Sequence, residues 1–300
     1  MYAFVTVSDM KRLAIIVDLE SGETKLTIKV RPEFVDASVT ERAPCRPFGI
    51  TWSRSELFIA NNRQLLVFDR HFNYKGMLRE QLQVNVHQLA YYVEHVWAVS
   101  PWTNSLIGVS PNSNVNPVEF DLLSSTIRPY IERNATVTSD KWHFNSLLWA
   151  DGFLYVAAHA FGPFSFINQY DATTFELVNV LRNAGHSIHG LASHNGELFW
   201  ISTKTNEIRS DSGHRRLLLR PGFGRGFAMT DDYFIIATST LRPRSERHKG
   251  DSWIDIVDRR DGTILNSVCL PNSGSVNDLR LLDMYDYSHR IDPLWEKVTD

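Results

Sequence analysis

The sequence predicts an all-β fold, a six-bladed β-propeller, from three observations. A six-residue pattern recurs six times, each copy leads into a turn and further strand-like runs, and the two ends of the chain complement each other as parts of one unit. The copies are Pro-Phe-Gly-Ile-Thr-Trp from Pro47, Val-His-Gln-Leu-Ala-Tyr from Val86, Phe-Asn-Ser-Leu-Leu-Trp from Phe144, Ile-His-Gly-Leu-Ala-Ser from Ile188, Gly-Arg-Gly-Phe-Ala-Met from Gly224 and Val-Asn-Asp-Leu-Arg-Leu from Val276. Units of four short strands, 36 to 58 residues apart, have the period of a propeller blade.

Taken in order, residues 2–30 hold three strand-like runs, at Tyr2, Leu13 and Lys25, with no innermost strand before them. The last copy of the pattern, 276–282, has no partners after it, so it is expected to close onto those three. Between the ends, each copy is followed by a polar or glycine turn and a second run rich in aromatic and β-branched residues, as in Glu56–Ala60, His95–Val99, Gly152–Val156, Glu197–Ile201 and Asp232–Ile236. A third and a fourth run follow, as in Gln64–Phe68 and Tyr74–Leu78. Three stretches stand outside the repeat: Arg31–Arg46, an inter-blade insertion at 121–142 in which Leu122–Arg133 has the composition of a short helix, and a tail, 284–300, whose Tyr285, Tyr287 and Trp295 are expected to pack on the outside.

Length and composition agree with one closed domain over 1–300: no Gly/Ser-rich or Pro-rich linker interrupts the chain, and 43% apolar with 22% charged residues can bury a large core. A net charge of -3 argues against a nucleic-acid partner held by bulk electrostatics. No apolar run is long enough to span a bilayer, and Asp9, Lys11 and Arg12 stand where a signal peptide needs its apolar stretch, so the expected location is the cytoplasm, with no membrane partner and with the Asn134-Ala-Thr136 sequon unused. Two cysteines, Cys45 and Cys269, make no disulfide framework, and Cys269 is expected to pack within an outer strand.

The second position of the pattern reads Phe48, His87, Asn145, His189, Arg225 and Asn277, polar in five copies of six. In a propeller the inner strands start on the face to which the loops between second and third strands return. Those loops hold Asn61, Trp102, His159, Lys204, Arg242, Arg244 and His248. Strand alternation would turn the second position towards the channel, whereas a shift of one residue would put His87 and His189 between blades. His87 and His189 are candidate acid/base or metal-binding groups, and with Asn145 and His143 they form a candidate set for a divalent metal ion, with no carboxylate in the ring. A histidine in a strand also serves as an ordinary hydrogen-bonding residue; recurrence at one repeat position is what singles these out. Arg225 lies in Gly222-Phe-Gly-Arg-Gly226, which precedes a strand and is therefore no phosphate loop, although its glycines would let a ligand approach the backbone while Arg225 offers a planar donor fork. The loop 239–252 carries Arg242, Arg244 and His248 among its basic residues and reads as a cationic lid, or as a solvated loop. Asn277, His159, Trp102, Lys204, Arg242, Arg244 and His248 complete the expected substrate-binding set. His71, His194 and His214 are expected to be solvated.

Units such as Phe144-Asn-Ser-Leu-Leu-Trp-Ala-Asp-Gly-Phe-Leu-Tyr-Val156 and Ile188-His-Gly-Leu-Ala-Ser-His-Asn-Gly-Glu-Leu-Phe-Trp200 resemble the blades of six-bladed propellers of the gluconolactonase and regucalcin type, the strictosidine synthase type and the NHL repeats. The resemblance implies a shared blade architecture and, for the lactonase type, a divalent metal held at the channel mouth by carboxylates and Asn, to which Asn145 and Asn277 correspond. Three functional readings follow. The first is an enzyme acting on a small anionic metabolite, a hydrolase, isomerase or lyase with or without a metal, in which Arg225 fixes the anion. The others are a propeller that binds such a ligand without chemistry and a protein-interaction scaffold.

Overall fold

A computed structural model describes residues 1–35, 45–79, 86–112, 115–129, 141–213 and 217–295. Its strands form six sheets, each made of neighbours in the sequence except where the ends of the chain meet, and the fold is a six-bladed β-propeller. The closing blade is as expected: Val276–Leu281 pairs antiparallel with Tyr2–Val7, which is followed outward by Arg12–Asp18 and Thr24–Lys29. Burial fades from the inside of a blade to its edge. Pro47–Trp52 is buried throughout, while Thr24–Lys29 and Ile264–Leu270 bury only alternate or isolated residues.

By its packing the chain divides into two compact units, residues 48–191 and residues 1–47 with 192–300. In the first, two cores lie between blades. Phe48, Phe58, Leu89, Val96 and Ile107 form one, and Trp97, Phe120, Phe144, Trp149 and Tyr170 form the other. The inner strands approach so closely that Gly49 N–H donates to His87 O at 3.0 Å, and a Cβ on Gly49 would lie 2.3 Å from Leu89 N. One expectation fails here. Residues 126–129 are a strand and not part of a helix: Thr126–Pro129 pairs with Val118–Asp121 and gives that blade a fifth strand. The run Thr126-Ile127 begins with two β-branched residues, which favour a pleated edge over a helical turn. Residues 130–140, including the sequon, lie outside the described residues.

In the second unit the closing blade and the blade 223–270 share a core of Val5, Ile15, Ala237, Ile254, Val276 and Leu279, and a second core gathers Phe199, Ile201, Phe227 and Phe234. The tail departs from expectation. It runs across the ends of inner strands instead of an outer face: Tyr287 N–H donates to Met229 O, Ser193 N–H to Tyr287 O, and Trp295 N–H to Leu282 O. The reason is the demand of those strand ends for partners. The Asp286 carboxylate accepts N–H bonds from Met229, Leu281 and Ser288 and the Ser288 hydroxyl, all buried. Beside it Arg280, 1% exposed, pairs with Asp278 at 3.1 Å and donates to Leu279 O. Cys269 is exposed and Cys45 buried, because the outer strand 264–270 turns Val268 and Leu270 inward and the residue between them outward.

Two predictions follow from this packing. Gly49→Ala has no room against the Leu89 and His87 backbone, and should lower unfolding stability by about 1–3 kcal/mol in denaturant titration. His289 is buried near Arg280, and burial first, the nearby cation second, hold its pKa well below 6.5, while burial raises that of Asp286 above 3.8. As pH falls through 6.5 the unfolded chain takes up a proton at His289 that the folded chain refuses, so this residue removes stability by up to about 1.4 kcal/mol per pH unit. Asp286 acts in the opposite sense at lower pH, since its proton is held more tightly in the folded state. Thermal melts of His289→Gln should therefore fall less steeply than those of the native chain between about pH 7 and 5.5.

Candidate functional site

In four copies of the repeat the second position is the extra residue of a β-bulge. Phe144 faces Ala158 and Ser146 faces Ala157, leaving Asn145 as the extra residue. Arg225 is skipped in the same way between Gly224, opposite Thr238, and Gly226, opposite Ala237. Asn277 is skipped between Val276, opposite Val7, and Asp278, opposite Thr6. His87 precedes its strand, which begins at Leu89, yet Val99 is likewise shared: His87 N–H donates to Val99 O and Val99 N–H to Gln88 O. A bulge re-aims the side chain of the extra residue, so simple alternation does not decide where these four point.

Where two of them point is settled by their bonds. Asn145 is buried and donates from Nδ2 to Ile188 O, the first residue of the next copy of the pattern, at 2.9 Å. Asn277 does the same to Pro47 O at 2.7 Å, and its amide also reaches the Ser8 hydroxyl. Both asparagines therefore tie an inner strand to its successor. The register alternative concerned His87 and His189; the residues that these bonds tie to the next blade are the two asparagines.

In the unit 48–191 the histidines gather. His87 stacks on Phe48, with ring centroids 4.7 Å apart, and meets His143 edge to face at 4.9 Å. His143 meets His159 at 5.2 Å, and His159 meets His189 at 5.1 Å. Phe161 packs against both His143 and His159 and is itself 59% exposed. It is held there by a turn in which Ala160 and Phe161 both have left-handed backbone, φ 51° and 44°, and in which Phe161 N–H donates to His159 Nδ1. His189 is oriented by a bond between Nδ1 and Ser187 O at 3.1 Å. Four imidazoles from three blades thus form one chain of ring contacts, of which His143 and His159 are only partly buried.

In the other unit the arginines gather. Arg225 lies 4.5 Å, and Arg247 4.7 Å, from the centroid of the buried Phe223 ring. Arg225 donates from Nη1 to Asn277 Oδ1 at 3.0 Å, and its Nε has no hydrogen-bond partner. Burial first, then the charges of Arg247, Arg46 and Arg244, depress its pKa well below the usual guanidinium value; Arg247 is lowered by burial and by Arg244 and Arg46. A guanidinium nonetheless stays charged in a protein. Among the described residues no carboxylate forms an ion pair with Arg225, Arg244 or Arg247. Glu246, which separates the last two in sequence, faces Arg242 at 3.8 Å and Lys249 at 3.9 Å instead.

Other expected site residues are placed as follows. Asn61 is buried and bonded to Gln64 across its own hairpin, and has a structural role. Trp102 is half-buried in the turn 101–104, and Lys204 is exposed on the turn 203–206. Arg242 and Arg244 are exposed and His248 half-buried in the loop after Tyr233–Ser239. That loop is pinned: Ser275 N–H donates to Arg247 O, Gly274 N–H to Gly250 O and Thr240 N–H to Asp251 O, which makes it a fixed wall and corrects the reading of it as a lid. The glycines near Arg225 serve packing, since a Cβ on Gly222 would lie 2.7 Å from Ser239 O and one on Gly226 2.8 Å from Leu279 Cβ. His194 is not solvated: it bonds Asp231 and Arg259 and packs against Tyr287. His71 is exposed, and His214 lies outside the described residues. Sequence reasoning did not single out Arg46, Arg247 or Phe223, whereas the aromatic residues of the loop 157–164, Phe161 among them, were expected to line the site as a wall. One signal was available, because Arg46, His143 and Phe223 all occupy the position just before a copy of the pattern.

The proposed metal set does not fit a divalent ion. Among the described residues no three His, Cys, Asp or Glu side chains are grouped to hold one. Asn145 Oδ1, the one amide oxygen of that set, is buried without a hydrogen-bond partner. Asn277, which the lactonase resemblance implied as a further ligand, has its Oδ1 already bonded to a guanidinium, beside which a second cation would be repelled.

No protein-family model matches the chain, and no curated protein matches it in sequence. Among solved structures it is similar to one chain of a nidogen/laminin complex, at 8% identity and a TM-score of 0.63 over 93% of this chain and 96% of that one. It is also similar to a protein of unknown function from Bacteroides caccae, at 9% identity and a TM-score of 0.59 over 93% and 97%. At these identities the likeness shows the class, a six-bladed β-propeller, and carries the resemblance noted in the sequence no further than the fold. Among the described residues no helix is long and apolar enough to cross a membrane.

Asn277 joins three strands and orients Arg225, so Asn277→Ala should cost about 1–3 kcal/mol in urea unfolding, the range for buried polar partners left unmet. Asn277→Asp should cost less, because its carboxylate would pair with Arg225.

Proposed function

We propose that this protein recognises a small anionic metabolite through the guanidinium cluster of Arg225, Arg244, Arg247 and Arg46. The observation that carries this reading is the absence of any ion pair from Arg225, Arg244 or Arg247 to a carboxylate among the described residues, although Arg225 and Arg247 both lie against the Phe223 ring and have their pKa lowered by burial first and by neighbouring guanidiniums second. Like charges held together in a partly dehydrated setting destabilise a fold, and an anion supplied from solution removes that cost. Asn277 fixes one edge of Arg225, and the pinned loop 240–251 fixes Arg247, so the donors are organised before the ligand arrives.

A second reading, acid/base turnover as a hydrolase, isomerase or lyase, is favoured by the chain of four histidines, in which His143 and His159 are partly open to solvent. A neutral imidazole titrates near working pH and can take or give a proton. The anion-binding reading is the better supported, because it needs no step beyond the charges present.

Thermal unfolding in the presence of a panel of mono- and dicarboxylates, phosphates and sulfate tests it. At least one anion should raise the melting temperature of the native chain and leave that of Arg225→Gln unmoved. Equal shifts in both chains, or no shift from any anion, would remove the reading.

A further inference from the structure

The arrangement of the arginines narrows the class of anion; this inference rests on the anion-binding reading above and deepens it. The cluster draws on three separate segments: Arg225 from the bulge in Phe223–Met229, Arg244 and Arg247 from the loop 240–251, and Arg46 from the residue before Pro47–Trp52. A carboxylate is planar, carries one charge and is satisfied by a single guanidinium fork. It would neutralise one of the positive charges of Arg225, Arg244 and Arg247 and leave the others repelling. A phosphate monoester brings close to two negative charges at neutral pH and three terminal oxygens set tetrahedrally, each an acceptor for a donor arriving from a different direction. Arg225 Nη1 is already committed to Asn277 Oδ1 and its Nε is buried, so the direction in which it offers the rest of its fork is fixed. Phe223, flanked by the Cζ atoms of Arg225 and Arg247 at 4.5 and 4.7 Å, keeps both guanidiniums extended over its ring instead of folded back on the chain.

We propose that the cluster is a phosphoryl-binding site and that the ligand is a phosphate monoester of a small metabolite. Arg225 and Arg247 grip the phosphoryl oxygens, and Arg244 adds the charge that selects a dianion over a monoanion.

Isothermal titration of the native chain with phenyl phosphate, phenyl sulfate, benzoate and inorganic phosphate tests this. The three aromatic probes share one ring and differ in charge and geometry. Phenyl phosphate should bind at least about tenfold more tightly than benzoate, equivalent to about 1.4 kcal/mol, with phenyl sulfate between them. Lowering the pH through the second ionisation of the phosphate, near about 6, should weaken phenyl phosphate and leave phenyl sulfate unchanged. Inorganic phosphate separates two sources of the same chemistry: tighter binding of the ester supports a metabolite ligand, and tighter binding of free phosphate overturns the monoester while keeping the phosphoryl site. Arg225→Gln should abolish the preference, and the exposed Arg244→Gln, which disturbs no packed side chain, should reduce it. Benzoate bound as tightly as phenyl phosphate, or a dicarboxylate bound where no phosphate binds, would overturn the phosphoryl assignment and leave anion recognition standing. Failure of every anion to bind would overturn both.

Discussion

The structure depends on how closely each inner strand must approach the next at the third position of the repeat. That position reads Gly49, Gln88, Ser146, Gly190, Gly226 and Asp278. At Gly49, against the Leu89 backbone, and at Gly226, against Leu279, there is no space for a Cβ. Where the position is polar, the side chain can reach across: Gln88 Oε1 accepts from Leu147 N–H, and Ser146 Oγ from Gly190 N–H. The bulge one residue earlier accommodates the same approach. It gives up a regular ladder pairing, and the side chain it releases is returned to the structure at Asn145 and Asn277 as a bond to the following blade. Packing and the polar ring thus have one geometric origin.

Two inner-strand arginines show what that origin permits. Arg280 is buried, faces Asp278, and has the tail laid beside it, so its charge is spent inside the fold. Arg225 occupies a bulge, has an amide in place of a carboxylate as its partner, and stands among other arginines. A protein that needed only to fill space at Arg225 could have used an apolar residue at lower cost in dehydration and repulsion. The contrast between the two arginines is stronger grounds for a ligand than the basic composition of the loop 240–251 would be alone, since exposed cations such as Lys204 are ordinary surface.

Much of the architecture was legible because blades are local: a period, a turn and alternating apolar runs identify five of them, and the unmatched last copy points to the first strands. The bulges were not legible, because a bulge leaves no mark on composition and shifts the register by the one residue on which facing arguments turn. For the same reason His87 and His189 could be singled out but not their contacts, which run through His143 and His159 by ring packing. The tail was misplaced since Asp286 reads as a surface residue in sequence, and only the unmet N–H groups of Met229 and Leu281 explain why it is buried. Arg46 and Arg247 gain their significance from convergence in space, and of the two only Arg46, just ahead of a copy of the repeat, carried a sign of it in the sequence.

The closing blade also sets an order of events during synthesis. Tyr2–Val7 has one partner within a few residues, Arg12–Asp18, and the other, Val276–Leu281, almost the whole chain away. At a translation rate of about 5–20 residues per second, the nascent chain carries that apolar strand with one edge unpaired for roughly 15–50 seconds. An open edge of this kind is a template for a neighbouring polypeptide on the same polysome. The innermost strand of that blade is therefore the last of its four to be made, and the sheet is completed only when Val276–Leu281 has emerged.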